Sequence, residues 1–203
     1  MSAPPYSPEP GCYDEAYDSE GEPRPHYAAL LETLSGELET LPGRVEAGVA
    51  ANGLTFGEGL EITVDPVPRL LTAAEWERLQ AGLLQRVRAL NAFIVDAYGP
   101  QRIFDAGVVP RRLLQSSSGY LGVMQGHLDS EVPPATVAGL DLVRGRDGEF
   151  HVLEDNLRMP SGITYATTLR AAVAAAVDWP LAPRPLDGFA RRFGDCLRAA
   201  APA

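Results

Sequence analysis

Lysine is absent: all seventeen basic residues among the 203 are arginine. No Gly-Lys-Ser/Thr can therefore occur, and P-loop nucleotide chemistry is excluded. Cysteine is almost absent. Cys12 and Cys196 are far apart and show no Cys-x-x-Cys spacing, so neither a disulfide framework nor a structural zinc site is expected. The three histidines, His26, His127 and His151, have no His-x-x-x-His relation. Long apolar runs are missing too. The longest Ala/Val stretch between charges, Ala171 to Val177, falls well below the roughly 18 residues of a membrane span. Met1-Ser2-Ala3-Pro4-Pro5 has neither a basic nor an apolar region, which leads us to expect no secretory signal and a cytoplasmic address.

What is present is acid, unevenly spread. The net charge of −10 speaks against nonspecific nucleic-acid or anionic-membrane binding, both of which need phosphate neutralisation. Residues 1–65 carry −11 and residues 66–203 carry +1. Residues 1–25 hold six prolines and an acidic run, Asp14, Glu15, Asp18, Glu20 and Glu22, too little apolar surface to order alone, so we read a disordered tail followed by one domain over 26–203. With 45% hydrophobic residues, that domain has material for a core.

Helical spacing of Leu30, Leu31, Leu34, Leu38 and Leu41 predicts a helix over Tyr27 to Leu41, with Pro42-Gly43 as its stop. A stronger signal follows. Thr72 with Glu75 forms a capping box, after which Trp76, Leu79, Leu83, Val87, Leu90, Ile94 and Tyr98 recur every three or four residues up to Gly99-Pro100. That stripe reads as core packing. Further helices are expected from Pro110 into Leu114 and from Asp187 to Leu197, and two β-patterned runs, 135–144 and 149–156, flank Arg146-Asp147-Gly148. The order implies an α/β (α+β) class with helices over an antiparallel sheet.

The hairpin carries the chemistry. If Asp147-Gly148 is a two-residue turn, Arg146 faces Glu149, Asp141 faces Glu154 and Gly139 faces Asn156. Alternation then puts Asp141, Glu154 and Asn156 on one face, with facing Cβ atoms roughly 5 Å apart. Two facing carboxylates repel unless solvated or bridged by a cation. Hard oxygen donors of this kind suit Mg²⁺ or Mn²⁺. Arg158 adds a fork for phosphate oxygens, and Pro160-Ser161-Gly162 a bend whose N–H groups could face an anion. The bland alternative is a solvated face of ordinary surface acids. A loop one residue longer would send Glu154 to the other face from Asp141.

An Asp thirteen residues before Glu-x-Asn on a hairpin resembles the metal-binding strands of ATP-grasp ligases. The run Gly139 to Arg144, Asp147-Gly148 and Val152 to Arg158 with Pro160-Ser161-Gly162 resembles the circularly permuted ATP-grasp proteins, type 2, in their front portion. Further segments fit in order: Tyr13-Asp14-Glu15, Arg24-Pro25-His26-Tyr27, Asp65 to Arg69, Gln85 to Asn91, Gln101-Arg102-Ile103 and Val109-Pro110-Arg111. The resemblance implies an ATP- and Mg²⁺-dependent ligase in which a carboxylate takes the γ-phosphate and an amine captures the acyl phosphate. Asp141, Glu154 and Asn156 would hold the metal, and Arg158 would steady the transferred phosphoryl group. Ser161 and Gly162 would contact the nucleotide, and Ser161, Gly162 and Tyr165 the substrate side. Partners would be a nucleotide and a small carboxylate or amine substrate or a peptide, with a companion chain carrying the rest of the fold.

The chain departs from the family where Thr168-Leu169 precedes Arg170 in place of Glu-Asn, and where nucleotide-clamping lysines are lacking. A noncatalytic ATP-grasp-like binding domain is therefore the alternative. Other chemistries fit less well. Paired carboxylates also describe a retaining glycosidase, but Asn156 and Arg158 do not serve it and only Phe150 offers a sugar platform. Ser116-Ser117-Ser118-Gly119 lacks a nucleophile elbow, and Gly57-Glu58-Gly59 lacks the third glycine of a dinucleotide loop.

Overall fold

The computed structural model describes residues 6, 9–55, 63–128 and 132–201; the Gly57-Glu58-Gly59 segment lies outside them. The elements are α1 (Ala28–Leu34), α2 (Leu41–Ala51), α3 (Ala73–Tyr98), α4 (Arg102–Asp105), α5 (Arg111–Ser116), β1 (Gly139–Arg144), β2 (Phe150–Asn156), α6 (Ile163–Ala176) and α7 (Phe189–Ala199). Helices with one two-stranded antiparallel sheet make this an α+β structure, as expected. The chain divides into two compact units. The first comprises Met1–Trp76, Leu142–Leu153 and Ser161–Pro185, and the second Glu77–Asp141, Glu154–Pro160 and Leu186–Ala203.

In the first unit the expected helix over Tyr27 to Leu41 is two helices. Pro42-Gly43 begins α2 and does not end α1: proline tolerates the first helical turn, where its missing N–H would have found no partner. The leucine spacing nonetheless marks the core. Leu30, Leu34, Leu41 and Val45 are fully buried, each stabilising the fold by about 1.5–3 kcal/mol, whereas Leu38, in the turn between the helices, is exposed. Alpha-helix α6, which the sequence reading missed, packs on α2 by bringing Ala172, Val173 and Ala176 to the same cluster. The two approach closely at Gly48, where a Cβ would lie 3.3 Å from the Ala172 Cβ.

The acidic segment cannot order itself, and its order comes from contacts. Asp14 accepts the Ala16 and Tyr17 N–H groups at 2.8 Å, and Arg24 donates to the Asp14 carbonyl at 3.0 Å. The anchor is Arg144, at the end of β1, whose side chain is only 5% exposed. It donates to Glu75 at 2.9 Å and to the Gly148 carbonyl at 3.0 Å, and its Nε lies 3.2 Å from Glu15. The guanidinium also stacks over Tyr13 and Phe150, at 4.9 and 4.2 Å from the ring centres. A buried arginine is tolerable only with such a set of partners.

The capping box at the head of α3 is present: Glu75 N–H donates to the Thr72 hydroxyl, and the Glu75 carboxylate accepts the Thr72 N–H at 2.9 Å and hydroxyl at 2.8 Å. Burial alone would raise the Glu75 pKa. The Thr72 and Arg144 donors outweigh it and bring the value from 4.5 down to about 2.

Core packing along the α3 stripe is less complete than its periodicity suggested. Trp76, Leu79, Leu83, Val87, Leu90, Ile94 and Tyr98 are all half-buried, and only Ala97 of this helix is buried. A helix of 26 residues runs about 39 Å, and the short elements of the second unit cover little of that length. They attach at specific points. Phe104 of α4 sits 6.1 Å from the Phe93 ring centre, and Asp96 accepts the Arg102 and Ile103 N–H groups. Asn91 accepts the Ala135 N–H at 2.8 Å and so fixes the chain just ahead of β1. The expected helix from Pro110 is α5, with Pro110 at its N-cap, and α7 starts two residues later than the span expected for it and runs two residues past Leu197.

Candidate metal and phosphate site

The turn of the hairpin differs from the one assumed. Gly145 N–H donates to the Glu149 carbonyl at 2.8 Å and Gly148 N–H to the Gly145 carbonyl at 2.9 Å, which encloses a three-residue loop, Arg146-Asp147-Gly148. Gly148 takes φ +79°, the left-handed conformation that closes such loops, and a Cβ there would meet the Tyr13 ring at 2.8 Å. Near the turn Arg144 therefore faces Phe150, in agreement with the stacking of these two side chains. Continued unchanged, that register would set Leu153 and not Glu154 opposite Asp141.

The outer end follows the expected pairing. A Cβ built on Gly139 lies 3.6 Å from the Asn156 Cβ, so these two residues face each other. One extra residue is taken up in β2, and burial marks where. Exposure alternates from Phe150 to Leu153, then Glu154 is exposed as well, and Asp155 and Asn156 are both half-buried. A β-bulge at Leu153–Glu154 accounts for this, since two residues of one strand then face a single residue of the other, here the exposed Asp141. His151, exposed like Glu154, lies 3.4 Å from Asp147.

Asp141, Glu154, Asn156 and Arg158 all belong to the second unit, and none of their side chains makes a hydrogen bond or ion pair with another described residue. Asp155 differs. Arg86 of α3 donates to both of its carboxylate oxygens, at 2.7 and 2.6 Å, and this hydrogen bonding holds the Asp155 pKa below the usual carboxylate range. The middle acid of Glu-Asp-Asn is thus committed to α3, while its two neighbours are left without internal partners. A separation of 69 residues hid this pair from sequence reasoning, although Gln85 to Asn91 figured in the family resemblance. The free groups are hard oxygen donors, a set that fits Mg²⁺ or Mn²⁺ with waters or phosphate oxygens completing the shell. Among the described residues no three His, Cys, Asp or Glu side chains cluster, so a metal would find two carboxylates and an amide and no cage of acids.

Beside Asn156 the chain runs into a cleft of about 530 Å³ lined by residues 157–160, by Pro134, Thr136 and Val137, and by Phe193, Leu197, Ala200 and Ala201. Pro160 folds back over β1, its Cβ 3.2 Å from where a Gly139 Cβ would be. Ser161, Gly162 and Tyr165 belong to the first unit. Gly162, at φ +94°, is the N-cap of α6, and Tyr165 donates to the Thr55 carbonyl at 3.1 Å.

The arrangement is that of a known class of fold. The chain belongs to the circularly permuted ATP-grasp type 2 family, whose model matches residues 68–203. It is 38% identical to an uncharacterized protein of Mycobacterium leprae over 80% of this chain and 30% of that one, and 38% identical to an uncharacterized protein of Synechocystis over 94% and 42%. Similarity at 39% identity extends to the protein of Frankia casuarinae named "Putative glutamate--cysteine ligase 2-2", over 96% of this chain and 24% of that protein. The chain thus spans between a quarter and about two fifths of the length of these relatives. No helix among the described residues is long and apolar enough to cross a membrane.

Proposed function

We propose that this chain is the metal-holding part of an ATP-dependent ligase that joins a carboxylate to an amine through an acyl phosphate. Asp141, Glu154 and Asn156 hold one Mg²⁺ or Mn²⁺ ion, and Arg158 binds oxygens of the transferred phosphoryl group. The observation that carries the reading is the sorting of acids along β2: Asp155 is bonded to Arg86, while Glu154 and Asn156 on either side of it, with Asp141 across the ladder, have no partner of their own. When bound, the metal supplies positive charge between the terminal phosphates of the nucleotide. The protein's own part is positioning and charge neutralisation: two carboxylates held on one exposed strand face, and a guanidinium two residues beyond Asn156 with no competing acid. The name of the Frankia relative supports the ligase class.

A thermal scan with and without Mg²⁺ tests this. Glu154→Gln removes one of two facing like charges, so it raises the melting temperature in metal-free buffer and abolishes stabilisation by Mg²⁺. Identical curves for wild type and variant in both buffers would count against the site. A second reading, a noncatalytic ATP-grasp-like binding domain, is favoured by the absence of lysine and by Thr168-Leu169 ahead of Arg170. ADP release by the 203-residue chain, lost in Glu154→Gln, decides against it.

A further inference from the structure

We propose that Tyr13 and Glu15 are positioning residues for the metal site, because they hold the hairpin in one of two registers that its sequence allows. The proposal rests on the metal reading for its consequence and on contacts within the first unit for its mechanism. In one register a two-residue Asp147-Gly148 turn joins straight strands, with Arg146 facing Glu149 and Arg144 facing His151. In the other, which is the one present, Arg146 belongs to the loop, Arg144 faces Phe150 and β2 takes up a residue at Leu153–Glu154. Gly139 faces Asn156 in both. Exchange between them therefore moves Arg146 into the ladder and removes the bulge while the outer pairing stays. A bulge re-aims the side chains of its strand, here that of Glu154.

Asp-Gly by itself favours the two-residue turn, so contacts beyond the hairpin select the longer loop. They converge on Arg144. Its guanidinium lies 4.2 Å from the Phe150 ring centre, and the straight register would break this contact by turning Phe150 to the other face. Tyr13 covers the same guanidinium at 4.9 Å, is itself covered by Arg24 at 4.4 Å, and lies 2.8 Å from where a Gly148 Cβ would be. One ring thus holds the end of β1 and the last loop residue together. Glu15 sets one carboxylate oxygen 3.2 Å from Arg144 Nε, without the alignment of a hydrogen bond, and the other 2.8 Å from Arg69 Nε, so it contributes charge. The Arg144 side chain is too enclosed for water to replace these partners.

Amide hydrogen exchange followed by NMR on the 203-residue chain reads the register in metal-free buffer. Gly145 N–H, bonded to the Glu149 carbonyl, is protected in the present register and open in the straight one, whereas Arg146 N–H, with no acceptor among the described residues, behaves in the opposite way. Tyr13→Leu and Glu15→Gln are each expected to shift the ratio of Gly145 to Arg146 protection about tenfold towards Arg146, and Tyr13→Phe to keep the wild-type ratio. Asp147→Asn strengthens the two-residue turn, yet leaves the ratio unchanged while Tyr13 and Glu15 are in place. Should Tyr13→Leu not fold, Glu15→Gln combined with Asp147→Asn reads the same exchange. By calorimetry the Mg²⁺ dissociation constant rises about tenfold in Tyr13→Leu and returns to the wild-type value in Tyr13→Phe. A wild type that takes up no Mg²⁺ sinks the metal reading, and the exchange ratio still decides whether these two residues select the register. An unchanged ratio in both variants, or an exchanged register with unaltered Mg²⁺ affinity, overturns the proposal.

Discussion

Replacing Glu75 by Gln removes a charge while keeping the shape of the side chain, and the structure says how much that charge does. The carboxylate takes two donors from Thr72 and one from Arg144, and the Arg144 side chain is almost fully enclosed. A glutamine oxygen still accepts the Thr72 N–H, so the loss falls on the bond to the guanidinium, worth about 1.5–3 kcal/mol for a charged group. Linkage sets a bound: a carboxyl taken from 4.5 to about 2 contributes at most about 3 kcal/mol at neutral pH, less because the side chain is partly solvated. A loss of about 2 kcal/mol corresponds to a melting temperature lower by roughly 4–8 °C for a chain of this size.

The sign follows from the depressed pKa. The contribution is whole above the unfolded-state value of 4.5 and disappears as pH falls towards about 2. Urea denaturation of wild type and Glu75→Gln at pH 6 and at pH 2.5 therefore gives a stability difference that shrinks at the lower pH. Because every other acid is common to both proteins, the double difference isolates Glu75. Two outcomes would refute the reasoning: no difference at pH 6, or the same difference at both pH values.

Two further expectations concern the site and the core. Arg86→Ala frees Asp155 and loosens the strand that carries Glu154 and Asn156, so the Mg²⁺ dissociation constant measured by calorimetry rises about tenfold, and the exchanged pair Arg86→Asp with Asp155→Arg recovers part of it. Gly48→Val forces α2 away from α6 at the Ala172 contact and costs about 1–3 kcal/mol, read as a lower urea midpoint with an unaltered m-value.

Local signals carried much of the fold. Thr72 and Glu75 announce α3 because a capping box is a contact within one turn, and Gly99-Pro100 ends it for equally local reasons. Pro42 misled because a proline after a leucine-rich run is compatible with the end of one helix and with the start of another. Only the packing of Val45 and Val49 against α6 decides between them. Alpha-helix α6 itself was missed because Thr164, Thr167 and Thr168 have weak helix preference, so tertiary burial of Ala172, Val173 and Ala176 provides the stability. At the site, residue types were legible and connectivity was not. The spacing of Asp141, Glu154 and Asn156 suggested a shared face, but the turn that was assumed had the wrong length, and nothing local to β2 reported a bulge. The bond from Arg86 to Asp155 joins positions 69 apart, beyond the reach of any periodicity.

The three-residue loop and the bulge offset each other, and that has a consequence for how this ribbon can vary in length. Deleting one residue of the bulge inverts the facing of every residue beyond it and turns Glu154 away from Asp141, whereas a residue inserted in the loop lengthens the loop and leaves the strands paired as they are. Among related sequences this ribbon should therefore accept added length at Arg146-Asp147-Gly148 and none within β2.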